Sequence, residues 1–351
     1  MATITQIRGA LLEEAVLFLL NKIGYDTIDL NRAPRRDSEQ MRSGHSGLEV
    51  RGRGTWHQID AFAIWRHSPA FMYPLKLIVE AKCYNARRPV GVEVPRNVIG
   101  VLKDISENYF TLRRRQGRFH APRYNYAAAI FSTSGFTSGA IEYALAHQVF
   151  LIQYENVPAI QPLIDAIQSF DDDCLVTTGR EAISATRGIL RAWLNNLELD
   201  QRHEYALSQR GIQLLRGSVT RACRNIRGSY FGMLQGRWPL HLLMDEPLPP
   251  AAFEEDSISC KLLGEESGEW RFVPMYAERG GERWFELEFS LPPLVAELVE
   301  QNWDDPVAVA AAKQQHFSYI DLSGVIGGVR RNIRLELDRD WLRRYLGRRD
   351  F

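Results

Sequence analysis

The chain is poor in cysteine. Its 351 residues hold four (Cys83, Cys174, Cys223 and Cys260), scattered with no CxxC pair. That excludes a disulfide framework and zinc-finger spacing, and it suits a reducing, cytoplasmic setting. Long apolar runs are also missing. No stretch approaches eighteen uncharged apolar residues, so no membrane span is expected. The opening MATITQIRGALLEEAVLFLL carries Glu13 and Glu14 within its apolar stripe and is followed by no small-residue cleavage site, so it does not read as a signal peptide. There is no internal repeat, no GxGxxG and no Walker lysine, which removes the common nucleotide-binding signatures. Excess charge of one sign is absent too. The 43 Lys and Arg balance 43 Asp and Glu, so net charge by itself gives no nucleic-acid signal.

What remains is an ordinary globular composition, 45% hydrophobic and 25% charged, in a chain long enough for two domains with real cores. One stretch concentrates the chemistry: Trp56 to Tyr84, WHQIDAFAIWRHSPAFMYPLKLIVEAKCY. It reads as a β-hairpin, with Gln58 to Trp65 as the first strand and Leu75 to Tyr84 as the second. Strand side chains alternate between faces, so Glu80 and Lys82 project together and Ala81 points away. Pairing near these positions places Asp60 beside Glu80. Two carboxylates and one ammonium then meet at the end of an apolar sheet, where buried charge must be paired or bind metal. Two carboxylates plus a backbone carbonyl such as that of Ala81 suit Mg²⁺ or Mn²⁺. Lys82 has three possible roles beside such an ion: positioning the attacking water, helping deprotonate it, or stabilising the pentavalent phosphorane. The reaction that needs this set is phosphodiester hydrolysis. The competing reading is a solvated strand edge, since Glu-x-Lys is a common strand ending.

Four segments, in order, resemble the Mrr-type branch of the PD-(D/E)xK nucleases, the restriction-endonuclease-like fold. They are LLEEAVLFLLNKIGYD, HQIDAFAIW, LIVEAKCYNARRPVGVEVPRNVIGVL and AAAIFSTSGFTSGAIEYALAHQVFLI. The match runs from about Ile7 to Tyr154, somewhat under half the chain. Ile59 stands where many members have proline before the aspartate. The resemblance implies a metal-dependent endonuclease acting on DNA, with Asp60, Glu80 and Lys82 catalytic. It also implies an accessory acid from the first helix, Glu13 in preference to Glu14.

Charge distribution points the same way. From Lys82 to Arg123 there are ten Lys and Arg against Glu93, Asp104 and Glu107. A locally basic face is what phosphate contact needs. Arg51, Arg53, Arg87, Arg88 and the run Arg113, Arg114, Arg115 are candidate DNA contacts. Ser134 and Thr137, at a strand-to-helix turn, are candidate phosphate holders; simple capping of the next helix is the alternative. His57 is expected to be a hydrogen-bonded surface residue, Cys83 a core thiol, and Asp171-Asp172-Asp173 a solvated turn.

The expected architecture is α/β. A restriction-endonuclease-like mixed-sheet sandwich (1–156) precedes a helical connector (157–228) and an α+β domain of unrecognised family (229–351). In the connector a helix over 205–227 carries Arg210, Arg216, Arg221, Arg224 and Arg227. The last domain is expected to regulate, to sense, or to bind a partner protein, and a homodimer is a further possibility. A binding module without catalysis, or a nuclease for RNA or branched DNA, are the rival readings. Activity in prokaryotic restriction or anti-phage defence is an inference from architecture.

Overall fold

The computed structural model describes residues 4–28, 40–43, 48–107, 123–199, 203, 205–264, 269–291, 295–296 and 306–347. The chain forms two compact units. The first comprises Met1–Asn21, Tyr25–Glu155 and Ile160–Arg224, and the second comprises Lys22–Gly24, Asn156–Ala159 and Asn225–Phe351. Residues 160–224, expected to be a connector, therefore belong to the first unit.

The first unit opens with α1 (Ile4–Ile23), whose Leu11, Leu12, Ala15, Val16 and Leu19 are wholly buried. Then come β1 (Asp26–Ile28), β2 (Met41–Ser43), β3 (Leu48–Arg51), β4 (Trp56–Ile59), β5 (Ala61–Trp65) and β6 (Leu75–Lys82). They are followed by α2 (Glu93–Ser106), β7 (Asn125–Ser132), α3 (Ser138–Ala146) and β8 (Phe150–Gln153). Five strands make one mixed sheet in the order β1-β5-β6-β7-β8. β5 is antiparallel to β1 and β6, while β6, β7 and β8 run parallel. β2, β3 and β4 form a separate antiparallel sheet. β2 falls in a stretch that polarity alone marks as a loop.

The expected first strand of the central hairpin is in fact two strands. β4 pairs with β3, β5 pairs with β1 and β6, and the chain changes sheets at Asp60. One face of the five-stranded sheet is covered by the apolar stripe of α2. Phe62, Ile64, Ile78, Ile130, Val98 and Ile99 share a single buried cluster.

Past β8 the first unit is helical, with α4 (Gln161–Gln168), α5 (Arg180–Leu194), α6 (Gln209–Leu214) and α7 (Thr220–Asn225). Between α6 and α7 one π-helical turn, Leu215–Val219, joins them into a continuous rod. Ser208 caps α6 by accepting from the Gly211 amide at 3.1 Å, which starts the helix later than its hydrophobic pattern implies. The acidic triplet is a short 3₁₀ turn. Arg210 reaches Asp171 at 2.6 Å and Asp173 at 3.4 Å.

The second unit is built on a seven-stranded mixed sheet, β10-β9-β14-β15-β11-β12-β13. Its strands are β9 (Gly228–Leu234), β10 (Trp238–Met244), β11 (Ser257–Gly264), β12 (Glu269–Pro274), β13 (Leu287–Ser290), β14 (Tyr319–Ile326) and β15 (Val329–Leu337). Its described helices include α8 (Pro306–His316) and α9 (Arg339–Gly347). The helix expected over 292–302 lies almost entirely outside the described residues. β14 has a polar, small-residue interruption that hides it in the sequence. Its alternate residues are buried, and Gly324 in its middle leaves room for the Tyr230 ring, which a Cβ there would meet at 2.7 Å. Stacked aromatic pairs fill the core, including Trp270 on Phe317 and Phe272 on Phe289.

Buried within this sheet, His241 lies 2.9 Å from the Ser229 hydroxyl, and burial pushes its pKa down to about 3. A base with a depressed folded pKa leaves stability intact above its unfolded value, near 6.5, and loses it as pH falls. At pH 5 the loss is on the order of 2 kcal/mol, about 1.5 pH units at 1.36 kcal/mol each. His241→Gln is expected to flatten the acid side of the second unit's thermal-melt profile between pH 6.5 and 5. An unchanged profile contradicts the assignment.

Candidate active site

The register of the hairpin fixes the site. Ala61 pairs with Val79 and Phe62 with Ile78, so extending the ladder by one residue puts Asp60 opposite Glu80. Asp60, Phe62, Ile78, Glu80 and Lys82 all lie on the α2-facing side of the sheet by strand alternation. Lys82 donates to Glu80. The Ala81 amide donates to Asp60 Oδ2 at 3.3 Å. In an extended strand the N–H and C=O of one residue point to the same side, so the Ala81 carbonyl faces the Asp60 side as well. A cleft between the strands and α2 is lined by Gln58, Glu80, Lys82, Asn97, Val98 and Val101.

The electrostatics show why these three groups belong together. Burial, followed by the neighbouring Glu80 charge, raises the Asp60 pKa to about 7, against the opposing pull of Lys82 and the Ala81 amide. Burial works to lower the Lys82 pKa, but Glu80 and Asp60 outweigh it and the net shift is upward. Lys82 is therefore an ammonium, suited to donating hydrogen bonds and placing positive charge and poorly suited to acting as a base. Two adjacent carboxylates share this one cation, and the deficit appears as the proton that Asp60 retains. A divalent cation fits such a donor set, because it supplies the positive charge that would let Asp60 ionise. Among the described residues no group of three or more His, Cys, Asp and Glu gathers at one point. Asp60, Glu80 and the Ala81 carbonyl offer protein oxygens here, and Gln58 and Asn97 bring side-chain amides to the cleft.

Glu13 is placed differently. Among the described residues the groups facing Asp60 are Glu80, Lys82 and the Ala81 amide, while the Glu13 carboxylate is paired with Arg187. Glu14 accepts from Arg191 Nε at 2.9 Å and lies 3.8 Å from Arg187. The two acids of α1 and the two arginines of α5 form a nearly buried quartet, and burial together with Arg191 lowers the Arg187 pKa to about 10. Removing one partner from such a set strands a buried charge. Arg191→Met is expected to destabilise the first unit by about 3–5 kcal/mol, read as a lowered denaturation midpoint. A change below about 1 kcal/mol would show that the quartet is solvated.

The candidate DNA contacts separate into distinct groups. Arg51, Arg87 and Arg88 are exposed, and the Arg88 guanidinium lies 4.7 Å over the Tyr84 ring. Arg53 is exposed and paired with Glu107 at 3.0 Å. Arg113, Arg114 and Arg115 lie outside the described residues. Ser134 is only 2% exposed, and its hydroxyl donates to the Arg88 carbonyl at 2.7 Å. Val90 and Thr137 are bonded through their backbones. Ser134 thus anchors the basic turn from within, and phosphate contact at its buried hydroxyl is closed off. Thr137 caps α3, accepting from the Ala140 amide at 3.3 Å. Gly135 between them has φ +71, and a Cβ there would sit 2.5 Å from Glu155, so the turn requires glycine.

His57 pairs with Asp104 of α2 at 2.7 Å, and the Gly54 amide donates to the same carboxylate at 3.1 Å. The hydrogen bond from His57 is the main cause of the lowered Asp104 pKa. Cys83 is buried, with its thiol pushed up to about 11, so it is inert. Gln58 and Asn97, which line the cleft, were not singled out from sequence. Gln58 stands two residues before Asp60, and Asn97 sits within the Val94, Val98, Val101 stripe of α2. Both spacings were available as signals.

No protein family and no curated protein matches the chain. One crystal structure, of a protein of unknown function designated AF1548, is similar to this chain at 15% identity and a TM-score of 0.34, covering 60% of this chain and 99% of that one. A likeness this slight carries no argument about fold or function. Among the described residues no helix is long and apolar enough to cross a membrane.

Proposed function

We propose that the chain is a divalent-metal-dependent endonuclease that hydrolyses DNA phosphodiester bonds, with a restriction-endonuclease-like first unit. The observation that carries this reading is the meeting of Asp60, Glu80 and Lys82 on one face of the sheet, across a hairpin register that sets two carboxylates beside a single ammonium. The strand order β1-β5-β6-β7-β8, with an antiparallel hairpin followed by two parallel additions, supports the fold assignment.

Asp60, Glu80 and the Ala81 carbonyl would hold Mg²⁺ or Mn²⁺. When bound, the ion neutralises charge building up on the phosphate and acidifies water. The chain's own groups do the rest. Lys82 is held in place by Glu80 and presents an ammonium to the cleft, where it donates to the attacking water or to a phosphate oxygen. Asp60 gives up its proton when the site is loaded. Exposed Arg51, Arg87 and Arg88 attract the DNA backbone. Glu13, paired with Arg187, is the accessory acid that the resemblance implies from the first helix. The second unit restricts when or where the first unit cuts, by sensing a ligand, a DNA feature or a protein partner, as befits a host-protective enzyme of restriction or anti-phage type.

The test is cleavage of matched duplex DNA, four-way junction and RNA substrates with Mn²⁺ present and with EDTA. Metal-dependent cutting of the duplex in preference to the others is expected. Cutting confined to RNA or to junctions would replace the substrate assignment and keep the chemistry.

A further inference from the structure

We propose that the rod formed by α6, the π turn and α7 is a second DNA-backbone contact, centred on Arg216 and Arg221; this rests on the nuclease reading above. From Tyr205 to Met244 the chain contains no Asp or Glu, while Arg210, Arg216, Arg221 and Arg224 recur along the rod. All four are exposed. The rod itself, from Gln209 to Asn225, carries these arginines and no acid, unlike a solvated surface helix, which mixes signs.

The π turn gives this stretch its geometry. In an unbroken α-helix, residues five apart lie about 140° apart around the axis. The extra residue of a π turn shifts the downstream residues by one position, so Arg216 and Arg221 come within about 40°, like an i, i+4 pair. Arg224, three residues beyond Arg221, falls on that side too, whereas Arg210, six residues before Arg216, lies well around the axis from it. The end residues are already engaged. Arg210 is held by Asp171 and Asp173, and Arg224 by the Asn196 side chain at 2.7 Å. Arg216 and Arg221 have no side-chain partner among the described residues. Between them Gly217 and Ser218 are exposed, and a Cβ on Gly217 would meet nothing within 4 Å. A glycine inside a helix costs about 1 kcal/mol relative to alanine, and no packing requires it here. The gap leaves the backbone open to close approach by a phosphate.

The rod belongs to the same unit as the hairpin site. The π turn packs on α4. The end of α4 approaches the catalytic strand, with Gln168 Nε2 3.5 Å from the Tyr84 carbonyl, two residues beyond Lys82. Duplex DNA is the occupant that the charge complements, because a single-signed linear array matches a regular phosphate backbone.

The experiment is fluorescence anisotropy of the full chain with a labelled DNA duplex in EDTA, where no cleavage occurs, across a salt series. The R216E/R221E double variant is expected to bind at least about tenfold more weakly, with the slope of log K against log salt reduced by about 2. R216K/R221K is expected to keep the wild-type slope, and all three proteins should melt at the same temperature. Wild-type binding with an unchanged slope in R216E/R221E overturns the second contact and leaves the nuclease reading standing. Loss of slope in R216K/R221K as well overturns it too, since charge is then not the cause. Absence of wild-type binding to any duplex sinks the nuclease reading itself.

Discussion

Replacing Lys82 with Ala is expected to lower DNA cleavage by about 10²–10³-fold or more while leaving the fold intact, because a charge-donating group aimed at the reacting phosphate contributes on that scale. Lys82 is partly exposed at the end of β6 and donates to Glu80, so its loss opens no cavity in the apolar core. Lys82→Arg keeps the charge but swaps a compact ammonium for a wide planar fork, and little activity should return. Cleavage by Lys82→Ala at the wild-type rate would refute the assignment of this lysine. The matching signature in the ground state is that the melting temperature without metal changes little, since the freed Glu80 carboxylate is partly exposed and open to water.

The second large effect has the opposite sign in stability. Asp60 keeps its proton up to about pH 7 because it is buried beside Glu80. An acid whose folded pKa exceeds its unfolded value contributes stability that is fully present below about pH 4 and lost as pH rises through 7. At pH 8 without metal the folded protein therefore bears the full penalty, on the order of 3–4 kcal/mol for about three pH units at 1.36 kcal/mol each. Asp60→Asn removes the charge at nearly constant volume. It should raise the melting temperature of the first unit at pH 8 by on the order of 5–10 °C, and the gain should vanish at pH 4. Adding Mg²⁺ or Mn²⁺ should stabilise the wild type through preferential binding to the folded state and leave Asp60→Asn unmoved. An Asp60→Asn protein that is less stable at pH 8 and still shifts with metal would place the cation elsewhere. This pattern, in which a site residue weakens the fold it sits in, is the expected mark of a group retained for function.

Much of the site was legible from the strand period alone. Alternation along LIVEAK puts Glu80 and Lys82 on one side, and strand pairing near these positions puts Asp60 across from Glu80; the observed register agrees, with Ala61 against Val79. The break at Asp60 was not legible. Gln58 to Trp65 is a uniform β-like run, and only the existence of a second sheet reveals that β4 leaves the first one there. Glu13 illustrates a different blind spot. Its position on α1 matches the resemblance, and its partner Arg187 comes from α5, about 170 positions along; long-range pairing of that kind leaves no local trace. From its turn Ser134 reads as a candidate phosphate holder, while the bridge between Val90 and Phe136 closes that turn inward. In the second unit, Asp321, Ser323 and Gly324 interrupt the apolar pattern of β14, and the small residue is explained only by Tyr230 on the neighbouring strand. The π turn was invisible for the opposite reason. Its apolar spacing is close enough to helical that one extra residue passes unnoticed.

The most direct measurement is nicking of a supercoiled plasmid by the full chain in Mg²⁺, Mn²⁺ or EDTA, with Lys82→Ala and Asp60→Asn run beside the wild type. The proposal predicts relaxed and linear DNA from the wild type with metal, none in EDTA, and nicking reduced at least about a hundredfold in either variant. Nicking that persists in EDTA, or that both variants retain, would contradict a metal-dependent nuclease built on these residues.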